Sequence, residues 1–241
     1  MTRVAAIHQP NFLPWIGYFS KMLQCDVFVL LDNVQLSRGS FTNRVRIKTR
    51  DGTPWLTVPF RHPGDAAYPD IRDVRIDYTQ PWAAKHLRTL AQAYAHAEHA
   101  STYLPRLADL LTTNYASLAD LNETTIAFMT ESLRLECPLV RASTLNVSGR
   151  RNDLLIAICK AVGANTYLVG QGGGLTYTDE ESFGAQGIAV RRQRFTHPRY
   201  RQLHGDFVPG LSALDLLLNE GAGAASVIRA AESATAGEPA S

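Results

Sequence analysis

Two stretches decide the fold: Val4-Ala5-Ala6-Ile7-His8-Gln9-Pro10-Asn11 and Val27-Phe28-Val29-Leu30-Leu31-Asp32. Each contains a short apolar run without polar alternation, which is typical of a strand covered on both faces. Residues 15–24 lie between them and carry apolar residues at helical spacing. Strand, helix and strand at this spacing predict a βαβ crossover with two parallel, adjacent strands.

The composition indicates one folded domain. The chain has 241 residues, of which 45% are hydrophobic and 19% are charged, values unlike those of disordered chains. α/β chains of this length often fold as one unit. We therefore predict a single domain over residues 1–220. Residues 221–241 are rich in Ala, Gly, Ser and Glu without apolar periodicity, and we expect a flexible C-terminal tail there.

Charge and cysteine content limit the function classes. The net charge of +2 is too small for strong non-specific attraction to nucleic acid or anionic lipid. The three cysteines form no Cys-x-x-Cys pair, which favours a reducing compartment. The sequence has neither a signal-peptide pattern nor an apolar run of membrane-spanning length. We predict a cytoplasmic protein that binds neither nucleic acid nor membrane.

The remaining pattern predicts an α/β fold: a mostly parallel central sheet flanked by helices, with an inserted β-hairpin and a helical segment. The hairpin is predicted from residues 43–48 and 55–60, around Asp51-Gly52. Residues 72–78 alternate as in a half-exposed strand. Further helices are predicted over residues 81–97, 102–114, 118–136, 151–162 and 211–219, and further strands over residues 139–142, 167–169 and 188–195. Ser117 and Gly163 stand where a helix begins and ends.

Polar residues follow several predicted strands. In a parallel sheet the carboxyl ends of strands are the usual ligand site, and His8, Asp32 and the loop 170–174 all follow strands. His8 is the first catalytic candidate because imidazole titrates near neutral pH; alternatively it ties down the Gln9-Pro10 loop. Asp32 is the second, either orienting His8, binding a substrate hydroxyl or amine, or initiating a turn.

Several other polar residues can contact a substrate. Arg44, Arg46 and Lys48 share one face of a predicted strand, where they could clamp a phosphate or carboxylate or simply be solvated. The loop at 197–202 is predicted to fold over His8 and Asp32, or to be a solvated connector. The candidate substrate-binding residues are Gln9, Asn11, Gln35, Asn43, Arg44, Gln171, Gly172, His197, Tyr200 and Gln202.

Several long segments resemble the WbqC-like protein family. They are residues 8–19, from His8-Gln9-Pro10-Asn11 onward, and residues 26–35, 41–44, 55–59, 197–202 and 207–219. The resemblance covers nearly the whole chain except its tail. It implies a place among proteins for bacterial surface polysaccharide and a glycyl or aminoacyl transferase role, without defined catalytic residues.

The sequence assigns no cofactor. His96 and His99 have a spacing that suits two metal ligands, but no third ligand stands nearby, so no metal site is predicted. The N-terminal pattern is faintly similar to nucleotidyltransferase-type α/β folds, including ATP-dependent amide ligases. The paired His-x-Gly-His signature is missing, so ATP use has no specific motif behind it.

These observations together predict a biosynthetic transferase. It would move an aminoacyl or other acyl group, from a donor such as an activated amino acid, to an amine or hydroxyl of a sugar-like or small polar acceptor. The pathway could serve polysaccharide or specialised-metabolite assembly. The alternative is a non-catalytic protein of such a pathway that binds a small molecule or acts as a scaffold.

Overall fold

A five-stranded parallel sheet forms the centre of the protein. The computed structural model describes residues 1–37, 39–61, 67–172 and 177–233. The sheet contains β1 (Val4–His8), β2 (Val27–Leu30), β5 (Leu139–Arg141), β6 (Thr166–Val169) and β7 (Ala189–Arg192) in the order β5-β2-β1-β6-β7. A separate antiparallel hairpin pairs β3 (Arg44–Arg46) with β4 (Trp55–Thr57). The predicted α/β class, with a parallel sheet and an inserted hairpin, is confirmed.

Helices cover both faces of this sheet. They are α1 (Ile16–Leu23), α2 (Trp82–Ala93), α3 (Ala100–Thr112), α4 (Leu118–Ser132), α5 (Asn152–Ala161), α6 (Glu180–Gly184), α7 (Ala213–Glu220) and α8 (Ala224–Ser233). None of the helices within the described ranges is both long and apolar enough to cross a membrane. Ser117 caps α4 in a capping box with Asp120, and Gly163 follows α5 with a φ of +68°, as the sequence predicts.

The side chains of the strands alternate between two hydrophobic clusters. Ala6, Phe28 and Leu168 pack with the hairpin and with α1, α4 and α7. The intervening residues, such as Ala5 and Val29, face the other side and pack with α5 and α6. This period of two means that both faces of the sheet are buried, and that His8 lies on the α1 face.

The strand order reverses between β1 and β6. The chain runs from β1 to β2 and later β5, and then crosses by α5 to β6 and β7 on the other side of β1. β1 pairs with β2 as far as His8↔Leu30, whereas its pairing with β6 runs only to Ala6↔Leu168. The carboxyl ends of β1 and β6 therefore border the topological switch point, where α/β sheets bind ligands. We call this place the β1–β6 crevice.

The expected strand at residues 72–78 is wrong. Ile71–Asp73 forms one turn of 3-10 helix, and Ile76 makes an isolated bridge with Phe60. Val74 is buried, and its carbonyl accepts a hydrogen bond from Leu118 N–H. The alternation in this segment thus arises from burial between the hairpin and α4, without a ladder in the central sheet.

The expected flexible tail is also wrong for residues 221–233. Gly221–Gly223 forms a 3-10 turn and α8 follows it. Ala224, Ile228 and Ala231 are buried in the same cluster as α1. Their helical spacing is carried mainly by alanine, a weak signal of apolar periodicity. Residues 234–241 lie outside the described part of the chain.

The Trp15 ring packs over Gly17 at the first turn of α1. A Cβ atom at Gly17 would lie 2.3 Å from the Trp15 ring, so the ring occupies the space above this glycine. The other side of Trp15 meets Phe195 edge-on, with ring centroids 5.2 Å apart. This contact fixes the direction in which the chain leaves the His8 loop.

Asn122 of α4 holds the His8 loop in place. Its side chain is fully buried, and Nδ2 donates hydrogen bonds to Pro10 O at 2.8 Å and to Thr42 O at 2.7 Å. Pro10 belongs to the loop after β1 and Thr42 to the entrance of the hairpin, two segments that Phe12 N–H also joins by donating to Phe41 O at 3.1 Å. One amide therefore joins the loop after β1 to the entrance of the hairpin.

Replacing Asn122 by Leu is expected to lower the free energy of unfolding by about 2–4 kcal/mol, because two buried carbonyls lose their donor. Urea unfolding followed by circular dichroism measures this loss. Thr124→Val is the matched control on the same helix, since its hydroxyl donates to Asp120 O one turn earlier within α4. Equal losses in the two variants would contradict the role of Asn122.

Candidate functional site

His8 lies at the carboxyl end of β1 and is neutral. Its ring contacts Tyr18 of α1 edge-on, with centroids 4.8 Å apart, and its Nδ1 lies 2.9 Å from Gln9 O. Because a carbonyl oxygen only accepts, Nδ1 carries the hydrogen and Nε2 keeps its lone pair. Burial, assisted by the nearby Lys21 cation, lowers the pKa of His8 to about 4. At neutral pH His8 therefore offers Nε2 as a hydrogen-bond acceptor.

Lys21 of α1, which the sequence analysis missed, reaches the same crevice. The residue is only 2% exposed, and Nζ donates to Ile7 O at 3.0 Å, where β1 separates from β6. Burial lowers the pKa of Lys21 to about 8. An ammonium group has three hydrogens, of which Ile7 takes one. The available signal was a single lysine within the otherwise uncharged helix Ile16–Leu23.

Two further strand ends close around Lys21. A Cβ atom at Gly170, directly after β6, would lie 4.0 Å from Lys21 Nζ and 3.7 Å from Gln193 Oε1. Gln193 follows β7 and donates from Nε2 to Gly17 O at 2.7 Å. The ends of β1, β6 and β7 thus converge on one buried cation.

The glycine-rich loop continues from this point. Gln171 and Gly172 are exposed, so both remain accessible as substrate-binding candidates at the rim. Gly173 and Gly174 lie outside the described residues.

Asp32 is buried in a different set of contacts. Its carboxylate accepts hydrogen bonds from Ser143 N at 2.9 Å and from Ser143 Oγ at 2.6 Å. Both oxygens therefore tie the end of β2 to the turn after β5. The orientation of His8 comes instead from the Gln9 carbonyl. Of the three roles considered for Asp32, these contacts favour the stabilisation of a turn.

Gln9 and Asn11 stay next to His8. Gln9 is partly exposed, its carbonyl accepts from the Tyr18 hydroxyl at 3.3 Å, and its Oε1 accepts from Thr42 Oγ1 at 3.3 Å. Asn11 is 5% exposed. The loop therefore keeps these two amide residues within three positions of His8, and their contact with a substrate stays a prediction.

Asn43 and Gln35 have other surroundings. Asn43 is buried and donates from Nδ2 to Val58 O at 3.0 Å, which closes the base of the hairpin. Gln35 is exposed and forms an isolated bridge with Asp70. These contacts give Asn43 a structural role and leave Gln35 on the surface.

Arg44 and Arg46 share one face of β3, as predicted, but the predicted alignment is wrong for Lys48. The guanidinium carbons of Arg44 and Arg46 lie 4.4 and 5.8 Å from the Trp55 ring centroid. Lys48 is 4% exposed, and its Nζ donates to Gln202 Oε1 at 3.2 Å. β3 ends at Arg46, so the period of two does not extend to Lys48.

His197 serves the packing of its own loop. Its Nδ1 donates to Pro198 O at 3.0 Å, and its Nε2 accepts from Gly210 N–H at 3.0 Å. Both ring nitrogens are thereby engaged in backbone contacts. Burial lowers the pKa of His197, which favours the same neutral form.

Tyr200 and Gln202 belong to a buried polar network around Asp215. The Tyr200 hydroxyl donates to Asp215 Oδ1 at 2.8 Å and accepts from Gln202 Nε2 at 3.0 Å. The Tyr94 hydroxyl donates to Asp215 Oδ2 at 2.8 Å. Burial raises the pKa of Asp215. Residues 193–212 connect β7 to α7, and we call them the C-terminal loop. These hydrogen bonds join this loop to α2 and α7.

The C-terminal loop meets the N-terminal segment just after the candidate site. Ser212 Oγ donates to Leu13 O at 2.8 Å, and Ala213 N–H donates to Pro14 O at 2.8 Å. The loop therefore braces residues 13–15, and its hydrogen bonds above go to partners other than His8 and Asp32. A shared site with His197 and Tyr200 stays a prediction.

An aromatic cavity of about 460 Å³ lies between β4 and α2. Trp55, Trp82, Lys85 and His86 are among its lining residues. Trp82 is 5% exposed, and its Nε1 has no hydrogen-bond partner among the described residues. Phe12, close behind His8 in sequence, packs edge-on against Trp82 with centroids 6.5 Å apart. We call this place the tryptophan cavity.

The described residues contain no group of three or more His, Cys, Asp or Glu side chains that could hold a metal ion. His96 is exposed. The His99 ring lies within 2.6 Å of the position that a Cβ at Gly221 would occupy, which places it against the turn before α8. The two histidines thus serve different surroundings.

Comparison with known proteins extends these observations to a family. The model of the "WbqC-like protein family" matches residues 9–227. The chain is 33% identical over 226 residues to "Uncharacterized protein Rv1507c" of Mycobacterium tuberculosis (strain ATCC 25618 / H37Rv), and the match covers 93% of this chain and 96% of that protein. No solved structure matches the chain. Because the family model spans both the His8 loop and the C-terminal loop, the chain belongs to the WbqC-like protein family.

Proposed function

We propose that the β1–β6 crevice is an acyl-transfer site. The protein would move an aminoacyl group, such as glycyl, or another acyl group from an activated donor to an amine or hydroxyl of a sugar-like or small polar acceptor. The observation that carries this proposal is a neutral imidazole, with Nε2 free to accept a proton, beside the buried Lys21 ammonium at the switch point of the sheet.

In the proposed reaction, the lone pair of the acceptor nitrogen or oxygen attacks the donor carbonyl carbon. His8 Nε2 takes the acceptor proton, and Lys21 donates a hydrogen bond to the carbonyl oxygen as negative charge develops there. The carbonyl then re-forms, and the bond to the leaving group breaks with its electron pair. A His8 pKa of about 4 makes the imidazolium a strong acid, which returns the proton to the leaving group.

The chemistry of the crevice sets the requirements on the donor. Neither His8 nor Lys21 can activate a free carboxylate, so the donor arrives as a thioester, an acyl phosphate or a similar activated form. ATP would be needed only to make such a donor from a free amino acid. Gln9 and Asn11 are the neighbouring amides that can hydrogen-bond a polar acceptor.

Small-molecule binding without catalysis is the second candidate function. The tryptophan cavity supports it, because tryptophan faces with a few polar groups suit the apolar face of a sugar-like ring. His86 donates from Nε2 to Thr57 O at 3.1 Å, so its ring is engaged in holding the cavity wall. A ligand confined to this cavity would have no catalytic pair beside it.

Replacing His8 by Gln is expected to preserve folding and to lower turnover by roughly two to four orders of magnitude. Gln can still donate to the loop carbonyl but is a poor proton acceptor. Product formation from an aminoacyl thioester and a panel of amino sugars, followed by mass spectrometry, measures the effect. His96→Gln is the control, because His96 is exposed. Normal turnover in the His8 variant would remove this role.

The pH dependence is expected to report Lys21. As pH rises through its pKa of about 8, the ammonium loses its charge, and kcat/KM falls. Lys21→Arg keeps the charge and should move this decline to higher pH, whereas Lys21→Met should lose it together with most activity. Lys160→Met, which alters an exposed lysine of α5, should keep the wild-type profile. An unchanged decline in the Lys21 variants would exclude Lys21 as its source.

Ligand titration is expected to separate the two candidate functions. A sugar-like ligand held in the tryptophan cavity should change tryptophan fluorescence, and Trp55→Ala should weaken its binding about tenfold because a stacking face is lost. His8→Gln and the exposed-aromatic control Tyr177→Ala should bind it normally. Binding that His8→Gln weakens and that Trp55→Ala leaves unchanged would instead place the ligand in the β1–β6 crevice.

A further inference from the structure

Two cysteines lie side by side at the amino ends of β2 and β5. Cys25 precedes β2 and Cys137 precedes β5, and these strands are parallel neighbours with Phe28 paired to Leu139. The two Sγ atoms are 3.7 Å apart. Neighbouring strands lie about 4.8 Å apart, and the register sets Cys25 one residue from the position opposite Cys137, an arrangement compatible with the roughly 4.4–6.8 Å between Cα atoms that a disulfide requires.

The backbone holds both cysteines at this separation. Asp26 N–H donates to Val4 O at 2.9 Å, and Phe28 N–H donates to Pro138 O at 2.9 Å. These bonds lie next to Cys25 and Cys137 and belong to the start of the sheet. Bringing the sulfur atoms together therefore requires side-chain rotation more than strand movement.

We propose that Cys25 and Cys137 form a redox-modification site that closes reversibly into an intramolecular disulfide. With glutathione disulfide as the oxidant, the Cys137 thiolate attacks one sulfur of the oxidant and releases one glutathione thiolate. Cys25, after losing its proton to solvent, then attacks the Cys137 sulfur and displaces the second glutathione. The two protein thiols lose two electrons, and the oxidant becomes two molecules of reduced glutathione.

The contact between the two sulfur atoms indicates which cysteine attacks the oxidant first. The contact between the two sulfur atoms lowers the pKa of the Cys137 thiol, and the same contact, together with burial, raises that of Cys25. Cys137 is therefore the sulfur that ionises first, and Cys25 is the resolving thiol.

Cys137, the attacking thiol, is partly exposed, and its neighbour Cys25 lines a polar cavity of about 1020 Å³. Its lining includes the exposed residues Arg191, Arg192 and Arg194. Three guanidinium groups outnumber the two carboxylates of the lining, Asp26 and Glu180, the latter paired with Arg192 at 3.4 Å, and this excess of positive charge favours the approach of an anionic oxidant such as glutathione disulfide. The third cysteine, Cys159, is fully buried in the other hydrophobic cluster, and burial raises the pKa of its thiol to about 12.

The disulfide would fasten a large part of the chain. It would join residues 112 positions apart, so that the hairpin and α2–α4 become one closed loop. Closing a long loop restricts the unfolded chain and raises stability. Oxidation would thus add a reversible lock to the segment that carries Asn122 and the tryptophan cavity.

The test is oxidation of the full chain with glutathione disulfide, followed by peptide mapping without reduction. The expected product is a peptide pair linked through Cys25 and Cys137, with an unfolding midpoint raised by roughly 5–15 °C and restored by dithiothreitol. Cys159→Ala should behave like the wild type. Cys25→Ser should stop at a glutathione adduct on Cys137 and show no rise.

Separate glutathione adducts on both cysteines of the wild type, or a disulfide joining two chains on a non-reducing gel, would overturn the proposal. The wild-type peptide map decides between these outcomes even if a serine variant fails to fold. The result is independent of the acyl-transfer proposal, because the map and the unfolding midpoint require no substrate.

Discussion

The buried amide of Asn122 is the contact on which the candidate site depends. It ties Pro10 O to Thr42 O, which sets the path of the loop after β1. That path places the Gln9 carbonyl against His8 Nδ1, and the carbonyl in turn fixes the tautomer of the imidazole. The hydrogen on the histidine ring is therefore determined by a helix that follows much later in the chain. A short local motif could not hold this geometry alone, because nothing in residues 8–11 supplies a donor for Pro10 O.

The buried ammonium of Lys21 lowers the stability of the folded protein. A lysine pKa lowered from 10.5 to about 8 corresponds to about 3 kcal/mol of lost stability while the ammonium is charged. The unfolded chain binds the proton more tightly, so the contribution of Lys21 to stability rises with pH between these two values. An apolar residue at this position would avoid the penalty. Retention of a charge under such conditions is typical of functional sites, although ion-pair networks can also shift pKa values.

The sequence predicts those parts of the fold that rest on local patterns. β1, α1 and β2 follow from apolar runs and helical spacing, and Ser117 and Gly163 follow from the chemistry of helix ends. Features that depend on distant partners were missed or wrong. Val74 and Ile76 alternate because α4 covers them, and α8 shows its apolar face mainly through alanines that are buried against α1 and α7. The position of Lys48 could not be predicted without knowing where β3 ends. The role of Lys21 could not be predicted without knowing which face of α1 meets the diverging strands.

The contact between Trp15 and Gly17 carries a consequence for divergence within the family. With a Cβ at position 17 placed 2.3 Å from the indole, no other residue fits there while the tryptophan keeps its place. Loss of the indole alone would leave a hole beside Phe195. Substitutions at the two positions are therefore coupled, and a homologue that carries a side chain at 17 should also have a smaller residue at 15. The path of the chain from the His8 loop into α1 therefore stays the same only when both residues are kept together.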